Sequence, residues 1–343
     1  MTILNLTILI YLEGFWDLDE GLEILIVITG GAGFIGSHLL KRFVDDGHDV
    51  LCLDNFDDYY DPGIKRGNVS QFVERENFTL LEGDILDRSL VKKALEGADY
   101  VFHLAAQPGV RASVLDPLKS HEINTLGTLN ILQAALDGGV KKVVYASSSS
   151  VYGKVEYLPF DESHPRTPVS PYGLSKLMAE EYCRLFHEIY GLETVSLRYF
   201  TVYGPRMRPD LAISIFAKRA LQNLPIEIFG TGEKTRDFTY IDDVVCANLL
   251  AMRSGGGVFN IGSGKSISVK KLAEMMIQLT GSRSNIVFRE DARGDAQHTW
   301  ANTGRAREEL GWRSEVDINE GLQRYLKWLR CNDFGRLDDQ ADD

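Results

Sequence analysis

The sequence predicts an α/β fold, a Rossmann-type doubly wound parallel sheet followed by a smaller mixed α/β C-terminal lobe, and three observations predict it. From residue 24 onward, short apolar runs alternate with longer amphipathic stretches, the pattern of βα units that feed a parallel sheet. The first run, Leu25-Ile26-Val27-Ile28-Thr29, enters a glycine-rich turn and then an amphipathic helix. After Tyr203 the rhythm changes to mixed short strands and helices.

In chain order, the strands are expected near Ile24–Thr29, Asp49–Leu53, Thr79–Leu81, Tyr100–Leu104, Lys142–Ala146 and Thr194–Arg198. Helices are expected between them at Phe34–Asp46, Ser89–Glu96, Pro117–Leu136 and Pro171–Tyr190, and in the later lobe at Ile213–Gln222, Asp242–Met252, Val269–Leu279 and Ile318–Leu329. In such folds ligands bind beyond the carboxyl ends of the strands, so the chemistry is expected in the βα loops. The expected division is an N-terminal extension over residues 1–22, a dinucleotide-binding domain that also carries the catalytic residues over 23–203, a substrate-binding lobe over 204–331 and an acidic tail over 332–343.

At 343 residues, the chain has room for one large domain and a smaller one. Its 44% hydrophobic and 25% charged residues are those of a globular protein with a packed core. A net charge of -12 argues against nucleic acid, whose phosphates need clustered Lys and Arg. Cys52, Cys183, Cys246 and Cys331 stand far apart, with neither a CxxC nor metal-ligand spacing to a histidine. No metal and no disulfide framework is therefore expected, and a cytoplasmic location is. The apolar run Ile3–Leu12 lacks a basic flank and a cleavage site and is too short to cross a bilayer, so an extra surface segment or an extended start is expected and no membrane partner is.

In the turn Gly30-Gly31-Ala32-Gly33-Phe34-Ile35-Gly36, Gly30 permits the tight bend, Gly33 lets backbone N–H groups approach a pyrophosphate, and Gly36 lets the helix close on the strand. The helix N-terminus adds partial positive charge. Asp54 closes the second strand about twenty residues beyond the turn. Its carboxylate can accept both ribose hydroxyls and repels a 2'-phosphate, which favours NAD over NADP. Asp84, in Gly83-Asp84-Ile85 after the third strand, is placed to meet the adenine.

Tyr172 and Lys176 are four apart on a predicted helix and share a face. A neighbouring ammonium favours the phenolate, so Lys176 is expected to lower the Tyr172 pKa and let the phenol take a hydroxyl proton near neutral pH. The pair follows the fifth strand, whose end carries Ser147-Ser148-Ser149-Ser150-Val151-Tyr152-Gly153. Ser148, Tyr172 and Lys176 form the expected catalytic group.

Taken with His103-Leu104-Ala105-Ala106, Asp54-Asn55 and Asn124 before Gly127-Thr128, these motifs resemble the extended short-chain dehydrogenases/reductases, in particular the NAD-dependent nucleotide-sugar epimerases and dehydratases. The likeness runs from about residue 24 to 330, and includes Ile228-Phe229-Gly230-x-Gly232 and Arg236-Asp237-Phe238-x-Tyr240-Ile241-x-Asp243. It implies NAD contacts from Gly30, Gly33, Phe34, Ile35, Gly36, Asp54, Asn55, Asp84, Ile85, Leu104, Ala105, Ala106, Asn124, Tyr172, Lys176 and Phe200. It also implies a homodimer through the helices at Pro117–Leu136 and Pro171–Tyr190.

Dehydratases of that family carry an acid pair, Asp-Glu, where this chain has Ser149 and Ser150, and hydroxyls cannot drive the elimination at neutral pH. The related decarboxylases carry a glutamate in place of Ser150. Epimerisation at C4 is left. The segment Leu197-Arg198-Tyr199-Phe200-Thr201-Val202-Tyr203-Gly204-Pro205-Arg206-Met207-Arg208 resembles the UDP-glucuronate 4-epimerases, with Thr201 in place of the Asn usual in UDP-galactose 4-epimerases. By that likeness a UDP-sugar is expected against Ser148, Ser149, Ser150, Thr201, Arg208, Arg236, Arg293 and Asp295, and a C6 carboxylate suits the small hydroxyl donors among them. In Arg293-Gly294-Asp295 the Arg stands one residue closer to the Asp than in many UDP-galactose epimerases. A UDP-glucose or UDP-N-acetylglucosamine 4-epimerase and, from another class, a non-catalytic NAD sensor are the alternatives that stay open.

Overall fold

The computed structural model describes residues 24–290 and 296–334. The expectations on residues 1–22, on Arg293 and Asp295, and on the tail past residue 334 lie outside the described residues.

Six strands, β1 (Leu25–Thr29), β2 (Asp49–Asp54), β3 (Phe78–Glu82), β4 (Tyr100–His103), β5 (Lys142–Ser148) and β6 (Glu193–Tyr199), alternate with helices α1 (Phe34–Asp45), α2 (Pro62–Ser70), α3 (Arg88–Ala94), α4 (Val110–Leu115), α5 (Pro117–His121), α6 (Gly127–Asp137) and α7 (Pro171–Tyr190). The later part adds β7 (Thr201–Tyr203), α8 (Ala212–Leu221), β8 (Ile226–Phe229), β9 (Thr235–Tyr240), α9 (Ile241–Arg253) and β10 (Gly257–Ile261). It ends with β11 (Ser266–Ser268), α10 (Val269–Thr280), β12 (Ile286–Arg289), α11 (Gly304–Glu309) and α12 (Ile318–Leu329).

The main sheet has seven strands in the order β10-β6-β5-β4-β1-β2-β3, and every pairing in it is parallel. Both faces are covered, as a parallel sheet requires: along β1, Ile26 and Ile28 enter one core with Leu39, Leu40 and Phe43 of α1, and Val27 enters the other with Ile131 of α6 and Ala179 and Phe186 of α7. The strand order reverses between β1 and β4, and this is the switch point where such sheets leave a crevice.

Two features depart from the expected pattern. The single helix expected at Pro117–Leu136 is α5 and α6 joined by a π-helical turn, Glu122–Leu126. The chain also returns from the later part to the large sheet, where α9 packs on α1 and β10 pairs with β6 as an edge strand. The rest of the later part forms a three-stranded sheet, β11-β9-β7, and a parallel pair, β12-β8. No helix of the described residues is long and apolar enough to cross a membrane.

Candidate active site

A cavity of about 320 Å³ opens at the switch point, along the carboxyl ends of β1, β2, β4, β5 and β6. The glycine turn forms its floor. Gly30 adopts φ +67, which an L side chain resists, and a Cβ there would lie 2.7 Å from the Ala105 backbone nitrogen. At Gly36 a Cβ would run into Gly30 O and would lie 2.7 Å from Gly31 Cα, so α1 can close on the turn only with glycine there. No side chain caps the first turn of α1, whose N-terminal N–H groups are left to face the cavity wall formed by Gly33, Phe34, Ile35 and Gly36.

Asp54 ends β2 at the cavity wall. Its Oδ2 accepts from the Ala32 N–H at 3.0 Å and its Oδ1 from the Phe56 N–H at 2.9 Å, so a lone pair remains on each oxygen. Burial raises the Asp54 pKa, and these two hydrogen bonds and the Lys65 ammonium oppose the rise. Asn55 donates to Asp84 at 2.9 Å beside Ile85. The shape and donor set fit a dinucleotide: open glycine backbone for a pyrophosphate, a diol-accepting carboxylate and an apolar slot.

At the other end of the cavity, Ser148, Tyr172, Lys176, Phe200, Thr201 and Arg208 all line the wall, so the structure brings the expected trio together. Ser170 caps α7 by accepting from the Gly173 N–H at 3.1 Å, and Pro171 fills the first helical position, where a missing N–H costs nothing. The Tyr172 N–H donates to Ser113 Oγ of α4 at 3.0 Å, which fixes this first turn from outside the helix.

Burial pushes the Tyr172 phenol above its ordinary pKa, while the Arg208 guanidinium and a hydrogen bond with Ser148 pull it down. Lys176, the expected acidifier, is not among the groups that draw the phenol down in this structure. Its Nζ donates to Ala146 O at 2.8 Å and lies over the Tyr145 ring, and burial lowers its own pKa to about 7. Arg208 is itself held by Asp210, Nε to Oδ1 at 2.9 Å and Nη2 to Oδ2 at 3.1 Å, and the Tyr59 hydroxyl donates to the same carboxylate at 3.2 Å.

Four expected site residues do not line this cavity. Asn124 is buried behind the wall, where its amide pairs with both backbone groups of Gln107 and donates to Ser175 Oγ at 2.9 Å. It therefore supports the Gln107 loop and α7. Ser149 and Ser150 fold away into a 3-10 turn, the Ser150 N–H donating to Ser148 Oγ at 3.1 Å. Arg236, on β9, donates to the Thr235 carbonyl at 2.8 Å. Conversely, Lys65 and Gln107 line the cavity although the sequence did not single them out, and Tyr59, Tyr60 and Ser147, for which no site role was expected, line it as well. Gln107 follows His103-Leu104-Ala105-Ala106 directly. Lys65 lies on α2, whose start is signalled by Asp61 as N-cap and Pro62 at the first position.

Residues 26–262 match the model of the NAD dependent epimerase/dehydratase family. The UDP-glucuronate 4-epimerase of Thermodesulfobacterium geofontis is 38% identical over 311 residues, covering 89% of this chain and 96% of that protein. Among solved structures, the UDP-glucuronic acid 4-epimerase of Bacillus cereus, in complex with UDP-glucuronic acid and NAD, superposes with a TM-score of 0.86 at 34% identity, covering 90% of this chain and 99% of that one. The UDP-glucose 4-epimerase of Thermotoga maritima, with UDP-glucose, gives 0.84 at 36% identity with the same coverage.

Proposed function

The chain belongs to the NAD dependent epimerase/dehydratase family, and from that premise we propose that it interconverts UDP-sugars epimeric at C4, with UDP-glucuronate and UDP-galacturonate as its preferred pair. It is an enzyme that uses NAD. The observation that carries the reading is the meeting of Tyr172, Ser148, Lys176 and Arg208 on the wall of the cavity that also holds the glycine turn, with Ser148 and Arg208 both drawing the phenol pKa down.

The glycine turn, the start of α1, Asp54, Lys176 and Phe200 hold the cofactor, which supplies a reversible two-electron acceptor for a secondary alcohol. Tyr172 takes the proton of the sugar 4-hydroxyl as general base and gives it back after the sugar has turned its other face. Ser148 bridges the phenol and the sugar oxygen. Lys176, fixed on Ala146 O, anchors the reacting end of the cleft. Thr201 and Arg208 receive the far side of the sugar and its anionic groups.

For a uronate, oxidation at C4 gives a β-keto acid that loses carbon dioxide readily, so a held carboxylate is needed to keep the reaction an epimerisation. Thr201 in place of an amide side chain supports that preference. The position of Ser149 and Ser150 outside the cavity wall favours the second reading, a UDP-glucose or UDP-N-acetylglucosamine 4-epimerase, because it leaves fewer hydroxyl donors for a carboxylate. Nuclear magnetic resonance of the purified protein with UDP-glucuronate, UDP-glucose and UDP-N-acetylglucosamine decides between them. The highest kcat/KM is expected on UDP-glucuronate; turnover of the neutral sugars alone overturns the uronate preference, and turnover of none overturns the epimerase.

The same reading includes a cytoplasmic homodimer. The wide spacing of Cys52, Cys183, Cys246 and Cys331, with no CxxC, supports the reducing compartment. Leu115, Leu118, Leu126 and Leu174, on or beside α5, α6 and α7, are exposed apolar side chains of the kind that association covers.

A further inference from the structure

Behind the reacting trio lies a buried ion pair that the epimerase reading leaves unexplained. Glu180 and Arg198 are each 2% exposed. Arg198 Nη2 donates to Glu180 Oε1 at 2.6 Å and its Nε to Oε2 at 3.0 Å, a two-bond grip that fixes angle as well as distance. Oε2 also accepts from Ser147 Oγ at 2.6 Å. Arg198 Nη1 continues the path to the Tyr152 hydroxyl at 2.8 Å, and that hydroxyl donates to Asn260 Oδ1 at 2.5 Å on β10.

Buried ion pairs of this kind do not raise stability over an apolar packing of the same shape, so stability alone does not account for one here. What the pair joins does. Tyr172, Lys176 and Glu180 stand at four-residue intervals on one face of α7. Ser147 and Arg198 are direct neighbours across the β5–β6 register, as are Ser148 and Tyr199. The three segments tied by the Glu180 carboxylate thus carry, within one or two turns or one residue, the side chains that line the reacting end of the cavity.

We propose that Glu180, clamped by Arg198, is a positioning residue that holds the end of β5 through the Ser147 hydroxyl and so fixes Ser148 against the Tyr172 phenol. The inference rests on the epimerase reading and deepens it. Because Ser148 beside the phenol lowers the Tyr172 pKa, freeing the β5 end moves Ser148 off and lets the phenol rise.

Ser147→Ala removes the tie while leaving the Glu180–Arg198 pair in place, and Ser147→Thr restores a hydroxyl. Glu180→Gln is the second variant; it leaves Arg198 buried beside a neutral amide and is expected to lower Tm as well. Each is measured in the full chain for kcat and KM with UDP-glucuronate and UDP-glucose, for Tm, and for the Tyr172 phenolate absorbance, taken as the difference from the same protein carrying Tyr172→Phe. Ser147→Ala is expected to lose about tenfold to a hundredfold in kcat, with KM within about twofold, an unchanged Tm and a phenolate titration displaced to higher pH. Ser147→Thr recovers most of the rate.

Wild-type kcat and an unmoved titration in Ser147→Ala overturn the inference. A lost rate with a lowered Tm and an unmoved titration overturns it too, since that is damage to the fold. The titration needs no turnover, so a wild-type protein inactive on every UDP-sugar defeats the epimerase reading while the titration still decides whether Ser147 governs the Ser148–Tyr172 contact.

Discussion

The Arg208 guanidinium draws the Tyr172 phenol pKa down against burial, and both oxygens of Asp210 hold that guanidinium in place. A general base works in its deprotonated form, so the rate rises with pH through the phenol pKa. Burial raises that pKa and Arg208 lowers it, so Arg208→Gln moves the rising limb of kcat/KM to higher pH, while Arg208→Lys keeps it nearer the wild-type position. Below the limb the rate falls by about tenfold for each unit of displacement. A pH profile of the two variants checks the direction; a limb that moves down, or stays, contradicts the assignment.

Lys176 gives a second pH signature, in stability. Burial lowers its folded pKa to about 7, from an ordinary value of 10.5, so between those values the unfolded chain binds a proton that the folded chain has released. Stability then rises with pH in that window, and below about 7 the cost of burying the ammonium is fully present. Lys176→Met removes this slope, so the wild type should gain on the variant as pH climbs from 7 to 10.5 in chemical denaturation. Parallel curves across that window contradict a buried lysine. Turnover should be lost in the variant throughout.

Gly36→Ala tests the turn. The added methyl would meet Gly30 O and Gly31 Cα, both backbone atoms that cannot move aside. A loss of roughly 1–3 kcal/mol is expected in urea unfolding, together with weaker NAD retention, since α1 must shift away from the pyrophosphate position. NAD content and stability equal to the wild type would show that the turn has slack.

Leu118 and Leu174 are 71% and 49% exposed on the α5–α7 face. Leu118→Glu combined with Leu174→Glu places charges on that face without touching the cavity. Light scattering is expected to show a dimer for the wild type and a monomer for the double variant, with the monomer's fold retained by circular dichroism. A wild type that is monomeric at all concentrations removes the dimer from the account.

Local chemistry made much of the fold and site readable. The ends of α7 are legible because Ser170, Pro171 and Gly191 mark them by capping, a tolerated proline and a left-handed turn. Ser148, Tyr172 and Lys176 could be grouped because spacing and strand order fix their approach. What the sequence hid is long-range. β10 carries Asn260 in place of an alternating apolar pattern, and its partner β6 lies far back in the chain, so no local signal announces the seventh strand. The π-helical turn at Glu122–Leu126 breaks an otherwise continuous helical pattern where Asn124 turns its amide to Gln107 and Ser175, so the same residue read as a cofactor contact is a brace. The sequence pairs Tyr172 with Lys176 by spacing, yet which cation acts on the phenol depends on where Lys176 Nζ finds a carbonyl and where Asp210 holds Arg208, and neither follows from spacing.

The most direct test of the account is Tyr172→Phe, assayed for C4 epimerisation and for bound NAD on the same preparation. Turnover is expected to fall by about a thousandfold or more, with NAD content and Tm close to the wild type, because only the proton-accepting oxygen is gone. Epimerisation within about tenfold of the wild type would contradict it, since another group would then be removing the 4-hydroxyl proton.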